Sequence, residues 1–376
     1  MPAVLAIMLM LSPVHAFEVT VSGQVNQMIM FADNGADNNG SEFFIADNDN
    51  SGTRFRFTGE QDYGRTKIGF RLEFDAQRNA SDTLDIGQDD DGTFQFLDRW
   101  LEGTFDTSFG KFSIGKGDGA ADNTSQTDLS GTSVAQYAGV NDTAGDFTWT
   151  FKNGTKVNDN TGNPQVGKVD ALSIGDTRSD FDGLGRNDRI RYDTPTWGGT
   201  HLAGSLTNGG AYELALFYNR QFAGEHKVAL SLGYVDTENR KALGTDLDFT
   251  QFSSSISYLA PFGFNVTGSF GQRYFQNQEK AVRESLNLPA ESTNYYVKVG
   301  WRGGMHRVSV EYGLTRDLAE IQDTPSDSTN WGLAYVAAAW EGVELFGAYR
   351  VYQLDLKDKV NPEDLMQVYA GTRIKF

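Results

Sequence analysis

The chain has 376 residues and a formal net charge of −18, from 32 Lys and Arg against 50 Asp and Glu. That balance argues against nucleic acid as a partner, because phosphate binding needs clustered cations that release counterions. Cysteine is absent, which removes disulfides, thiolate metal sites and cysteine nucleophiles together, while 42 Gly, 26 Phe and 15 Tyr beside 8 Pro favour many strands joined by turns over helices or disorder.

Residues 1–16, MPAVLAIMLMLSPVHA, are apolar from Ala3 to Leu11 and end in a small-x-Ala pattern at Val14, His15 and Ala16, so they read as a secretory signal peptide cleaved after Ala16. The apolar run is too short to cross roughly 30 Å of hydrocarbon as a helix, and no other stretch approaches the ~20 apolar residues that a helix needs. No Lys or Arg precedes it, which points to a translation start upstream of Met1.

Beyond Phe17 the dominant signal is alternation with period 2. TKIGFRLEFD places Ile68, Phe70, Leu72 and Phe74 on one face and Lys67, Arg71, Glu73 and Asp75 on the other. RIRYD, HKVALSLGYV and RVSVEYGLTR repeat the pattern, with Ile190 and Tyr192, then Val228, Leu230 and Leu232, then Val308, Val310 and Tyr312 on the apolar side. The predicted strands in chain order are 18–31, 52–60, 65–77, 95–106, 109–116, 187–194, 199–207, 211–220, 225–236, 248–259, 262–275, 293–302, 305–315, 329–340, 342–355 and 365–376.

A soluble sandwich would also alternate, but two features favour a membrane barrel. The joints QDYG, SFG, PTWGG, AGE, APFG, GGM and EGV are tight, whereas most of those between them are long and polar, the asymmetry of periplasmic turns and external loops. No strand carries a continuous Val/Ile/Leu run, so there is little sign of a dedicated core. The fold class is therefore all-β, a transmembrane antiparallel β-barrel of about 16 strands, an even number as such single-chain barrels require. Residues 17–376 form one domain, with about 117–186 as a long third loop folded into the lumen; DFTWTFKN at 146–153 is kept out of the wall because it would make the count odd.

Five fragments carry a family resemblance: EVTVSGQV at the mature start, TRFRFTGEQDYG, DRWLEGTFDTSFGKFSIGKGDG, RNDRIRYDTPTWGG and the closing QVYAGTRIKF, with Ile374 and the terminal Phe376. In this order they resemble the general trimeric outer-membrane porins of Gram-negative bacteria, most of all the α-proteobacterial type. The resemblance implies passive diffusion of ions and small hydrophilic solutes through a water-filled channel in the cell outer membrane, a homotrimer surrounded by outer-membrane lipid and lipopolysaccharide, and no cofactor. A substrate-specific channel with a binding track is the alternative; saturable conductance would distinguish it.

The resemblance also implies an eyelet where the third loop faces wall arginines. Arg54 and Arg99 match that motif, and alternation independently points Arg54, Arg56, Arg71, Arg189 and Arg191 inward. If Arg99 points inward, the same parity sends Glu102 outward, where a bulge or a trimer contact would have to accommodate it. Gln24 stands where the family often has a lysine, so one wall charge is missing. Asp118, Asp122 and Asp128, early in the loop, are the candidate opposing acids. The net charge favours cations, and local eyelet charge can reverse that.

Asp47, Asp49, Ser51 and Gly52 begin like an EF-hand loop, but position twelve is Thr58 rather than Glu. Asp47 and Asp49, or Asp89, Asp90 and Asp91, remain weak calcium candidates, and no metal site is otherwise expected. His201, His226 and His306 sit beside tight turns without catalytic spacing to Ser or Asp, so no enzyme activity is expected. Tyr63, Trp197, Tyr258, Trp301 and Trp340 near strand ends fit an interfacial girdle.

Overall fold

The computed structural model describes residues 17–88, 94–157, 171–237, 248–275, 289–318, 325–357 and 359–376; the expected signal peptide lies outside them. The strands are β1 (Glu18–Asp33), β2 (Ser41–Asp47), β3 (Arg54–Tyr63), β4 (Thr66–Gln77), β5 (Gln95–Thr107), β6 (Gly110–Asp118), β7 (Arg186–Asp193), β8 (Thr200–Thr207) and β9 (Tyr212–Gln221), then β10 (Lys227–Asp236), β11 (Thr250–Leu259), β12 (Phe264–Tyr274), β13 (Glu291–Gly303), β14 (His306–Arg316), β15 (Ser326–Trp340), β16 (Val343–Leu356) and β17 (Leu365–Lys375). They form one antiparallel sheet in which β1 pairs with β17 from Gln24↔Lys375 to Asp33↔Met366, so the sheet closes on itself. Closure removes the unpaired edge that lipid could not hydrogen-bond. Phe376 completes the seam: its N–H donates to the Gly23 carbonyl at 3.1 Å and its carbonyl accepts from the Gly23 N–H at 2.9 Å.

β2 is the one strand that the alternation test misses. On its second edge β1 meets β3 along residues 18–24 and β2 along residues 27–33, so β2 and β3 share a single wall position. The seventeen strands thus fill sixteen positions, the expected even count. SEFFIAD escapes a period-2 search because it is apolar on both faces: Phe43 and Ile45 are exposed, while Phe44 and Ala46 are buried. Between β2 and β3 the chain leaves the wall through a 3-10 turn at Asp49–Ser51. Two inward side chains of β1 hold it there, Gln24 donating to the Gly52 carbonyl and Asn26 to the Ser51 carbonyl, both at 2.9 Å.

Outward positions are apolar and exposed around the wall, as at Ile114, Ile190, Leu214, Ile256, Val297, Val310, Leu333 and Val368. Inward positions on β10–β14 are small and polar, including Ser231, Ser253, Ser255, Ser257, Thr267 and Ser309. The seven tight joints named above all fall at one end, where Tyr63, Trp197, Trp301 and Trp340 are exposed, while the short β8–β9 joint at 208–211 lies at the other. Among the described residues no helix is long and apolar enough to cross a membrane.

A buried core is present although the strands gave little sign of one. A buried apolar cluster joins Met28 and Met30 of β1, Phe44 of β2, and Phe346, Tyr352 and Leu354 of β16 to Val134, Phe147, Trp149 and Ile174 from the long β6–β7 connection. DFTWTFKN contributes to this cluster and not to the wall: Thr148 bridges to Ser173 and Thr150 to Lys156, both within the connection.

Candidate functional site

The arginines expected to face inward lie on neighbouring strands, and a bulge brings two of their partners into place. Register pairs Arg54 with Asp75 and Arg56 with Glu73 across β3 and β4. Between β4 and β5 the pairing slips, so that Glu73 opposes Trp100 and Phe74 opposes Asp98, leaving Arg99 as the extra residue. Arg99 and Trp100 consequently both face inward. The slip also changes the parity below it and is the bulge that accommodates Glu102: Glu102 faces inward and accepts from Arg189 Nη2 at 2.6 Å.

One carboxylate organises the cluster. Glu73, with no exposed side-chain surface, has Arg56 Nε at 2.5 Å, Arg71 Nη2 at 2.7 Å, Arg99 Nε at 3.0 Å and Arg54 Nε at 3.9 Å. Arg99 also pairs with Asp75 at 3.0 Å. The Arg71 guanidinium lies 3.6 Å from the centre of the Trp100 ring and that of Arg186 4.6 Å from it, a cation–π arrangement that restricts both. A carboxylate so placed must be paired, since burying it alone would be prohibitive.

These side chains line a cavity of about 530 Å³, bounded by Arg54, Arg56, Arg71, Arg99, Arg186 and Trp100 and by Asp49, Asp118, Asp122, Asp128, Asp142 and Asp182. The three acids expected from sequence all reach it, in different conditions. Asp118 pairs with Arg186 at 3.3 Å. Asp128 is fixed by fully buried Lys298 at 2.5 Å, which outweighs burial and holds its carboxyl below the usual range. Asp122 is raised well above that range by burial and by Asp118 and Asp182 beside it. Asp182 accepts from the backbone N–H groups of Asn123 and Ser125, and burial with nearby Asp180 pushes it up to about 7.

Arg189 and Arg191 face inward but are not on the cavity lining. Their donors go to the start of the β6–β7 connection: Arg189 Nε to the Asp118 carbonyl at 2.9 Å and Arg191 Nη1 to the Gly119 carbonyl at 2.6 Å. Sequence reasoning missed Trp100, Arg186, Asp142 and Asp182 at the cavity and weighed Asp49 only as a calcium ligand. The bulge hides Trp100 from any parity test, and the acids lie far along an aperiodic segment.

The described residues of the β6–β7 connection are bonded to inward side chains of the wall at many points. Thr124 bonds Ser253 and Thr127 bonds Ser231, each at 2.6 Å, while Leu129 N–H donates to Ser257 at 2.9 Å. Arg178 donates to the Ser328 carbonyl at 2.7 Å and to Asn330 at 2.6 Å. Tyr369 donates to the Ala135 carbonyl at 2.7 Å. Beneath them Arg350 pairs with Glu311 at 2.7 Å, both fully buried, and Arg350 Nη1 reaches Thr143 at 2.9 Å.

The calcium candidates have other partners. Asp47 accepts from Thr53 N–H at 2.9 Å and Gln27 at 2.7 Å, and Asp49 accepts from Gln77 at 2.6 Å. Asp89, Asp90 and Asp91 lie outside the described residues. Among the described residues no group of three or more His, Asp or Glu is arranged to hold a metal ion. His201 stacks on Phe217, while His226 and His306 stack on and bond Tyr258 and Tyr335.

A closed antiparallel barrel with sixteen wall positions, an apolar outer face and charged groups inside is a membrane channel of the bacterial outer-membrane type. The family model for Gram-negative porins matches residues 3–356. The chain belongs to the Gram-negative porin family, and is a passive channel of the outer membrane, not an enzyme. No curated protein matches the sequence significantly. Solved structures of similar fold include the outer membrane channel DcaP of Acinetobacter baumannii, at 12% identity and TM-score 0.59 over 96% of this chain and 97% of that one. The trimer form of OmpT, an outer membrane protein of Vibrio cholerae, has 13% identity and TM-score 0.56 over 96% of this chain and 100% of that one. A mutant Rh. blastica porin has 11% identity and TM-score 0.52 over the same shares.

Proposed function

We propose that the arginine-lined cavity is the constriction of this channel, that the described residues of the β6–β7 connection, 119–157 and 171–185, fold inward to form its opposite side, and that ions and small hydrophilic solutes diffuse through it. The observation that carries this reading is the opposition of guanidinium groups from β3–β5 to carboxylates from the β6–β7 connection across one cavity inside a closed barrel. Such opposed rows create a transverse field that orders water and dipolar solutes and penalises apolar ones. Hydrogen bonds from the connection to β10–β17 support its inward placement.

The working unit is a homotrimer, a reading supported by family membership and by the trimer form of the Vibrio cholerae relative. Its apolar outer faces meet lipid and lipopolysaccharide, and the mature chain is the single domain 17–376, released by cleavage after Ala16. Recording in planar bilayers under a salt gradient tests the set. Conductance should appear in threefold steps and rise linearly with salt. Arg54→Ala combined with Arg99→Ala should raise cation over anion permeability several-fold; an unchanged reversal potential would remove both residues from the constriction.

A further inference from the structure

The arginine side of the cavity holds more positive charge than its local acids neutralise. Among the described residues Arg54, Arg56, Arg71 and Arg99 share only Glu73 and Asp75 as ion-pair partners. Arg56 reaches Glu73 through Nε and lines the cavity, and 36% of its side chain is exposed. Arg71 is 28% exposed and its buried Nε has no hydrogen-bond partner. We propose that Arg56 and Arg71, held in place by Glu73 and Trp100, form a binding subsite for small multivalent oxyanions, carboxylate or phosphate, on their way through the pore. This rests on the reading of the cavity as the constriction.

Three physical features make it a subsite and not merely a positive wall. The guanidinium fork matches the oxygens of carboxylate and phosphate, and two forks side by side suit an anion with two or more charges better than chloride. Both forks are already ordered, one by Glu73 alone and the other by Glu73 and the Trp100 ring, so an arriving anion immobilises little more. The facing acids are largely engaged by donors of their own: Asp128 by Lys298, Asp142 by the Tyr137 hydroxyl, and Asp182 by two backbone N–H groups. Their repulsion of an anion is correspondingly reduced.

The test is block of potassium chloride current through the trimer in a planar bilayer, with citrate or inorganic pyrophosphate added to one side. Either anion should lower conductance saturably. In Arg56→Gln and in Arg71→Gln the half-blocking concentration should rise roughly tenfold, a change of about 1.4 kcal/mol. Each single variant leaves Glu73 with other arginine partners, so the barrel should still assemble. Block by both probes supports an oxyanion subsite, and block by one alone supports it with carboxylate or phosphate as the favoured class. No block, or a half-blocking concentration in both variants unchanged from the unmodified channel, overturns it. If the Arg54→Ala/Arg99→Ala pair shifts the reversal potential while neither anion blocks, the subsite alone fails; an unmoved reversal potential fails the constriction reading itself.

Discussion

The two sides of the barrel interior are built on opposite rules. Along β15–β17 and the upper half of β1 the inner face is apolar, and the β6–β7 connection packs onto it with Trp149 and Phe147, each 1% exposed. Along β3–β5 the inner face is ionic and faces a cavity, and its arginines are arranged by a buried carboxylate rather than by packing. On the packed side, buried charge is used in closed pairs such as Arg350 with Glu311. On the open side, cations outnumber their partners. An inner face becomes a scaffold or a conduit according to whether its groups are satisfied by the protein or left for solute.

The strongest way to break this contrast is to open the packed side. Arg350→Leu leaves Glu311 buried with its ion-pair partner gone, a loss of about 3–5 kcal/mol. Thermal unfolding in detergent should shift down, and single-channel conductance should rise as the connection loosens from the wall. Unchanged melting and conductance would mean that the pair does not hold the connection in place. A smaller effect is expected at Gly271, one of the close approaches of the connection to the wall. A Cβ on Gly271 would lie 2.9 Å from the Asp180 carbonyl oxygen and 2.9 Å from the Phe181 ring. Gly271→Ala therefore overpacks the contact, costing about 1–3 kcal/mol. The shift in melting should be smaller than for Arg350→Leu, and a larger one would reverse the ranking of packing and charge.

Much of the wall was legible because lipid outside and water inside impose strict alternation, as TKIGFRLEFD and RVSVEYGLTR show. The places where alternation failed were the informative ones. SEFFIAD and MIMFA are apolar on both faces because one face meets lipid and the other meets the connection, so a break in period 2 marks a docking surface. Gly233, Gly271 and Gly313 are inward positions without side chains where Thr124, Phe181 and Arg178 come close, a second trace of the same contact. Arg54, Arg56 and Arg71 could be placed by parity alone. Trp100 and Glu102 could not, because one inserted residue at Arg99 reverses parity and nothing local in DRWLEG announces it. Asp142 and Asp182 were beyond reach for a different reason: their position depends on how a segment without period folds back on the wall.

The finest distinction between the two sides is their response to protons. Guanidinium groups keep their charge throughout the physiological range, whereas Asp182, on the cavity lining, is pushed up to about 7 by burial and by Asp180. Asp122 and Asp142 are raised in the same sense, by burial and then by Asp118 and Asp182 in one case and Asp49 in the other, while Asp128 stays ionised beside Lys298. A carboxyl whose folded value lies above its unfolded one binds more protons in the folded state, so stability from Asp182 falls as pH rises from about 4 to about 7 and is level above. The same titration acts on selectivity. Moving from about pH 8 to about pH 6 protonates Asp182 and removes negative charge from one side of the cavity only, so the ratio of chloride to potassium permeability should increase. Reversal potentials at the two pH values measure it, and Asp182→Asn should reduce the shift by fixing that position neutral at both. A reversal potential that ignores pH in the unmodified channel would show that the acid side is already screened from the solute path, and that the arginines alone set the field.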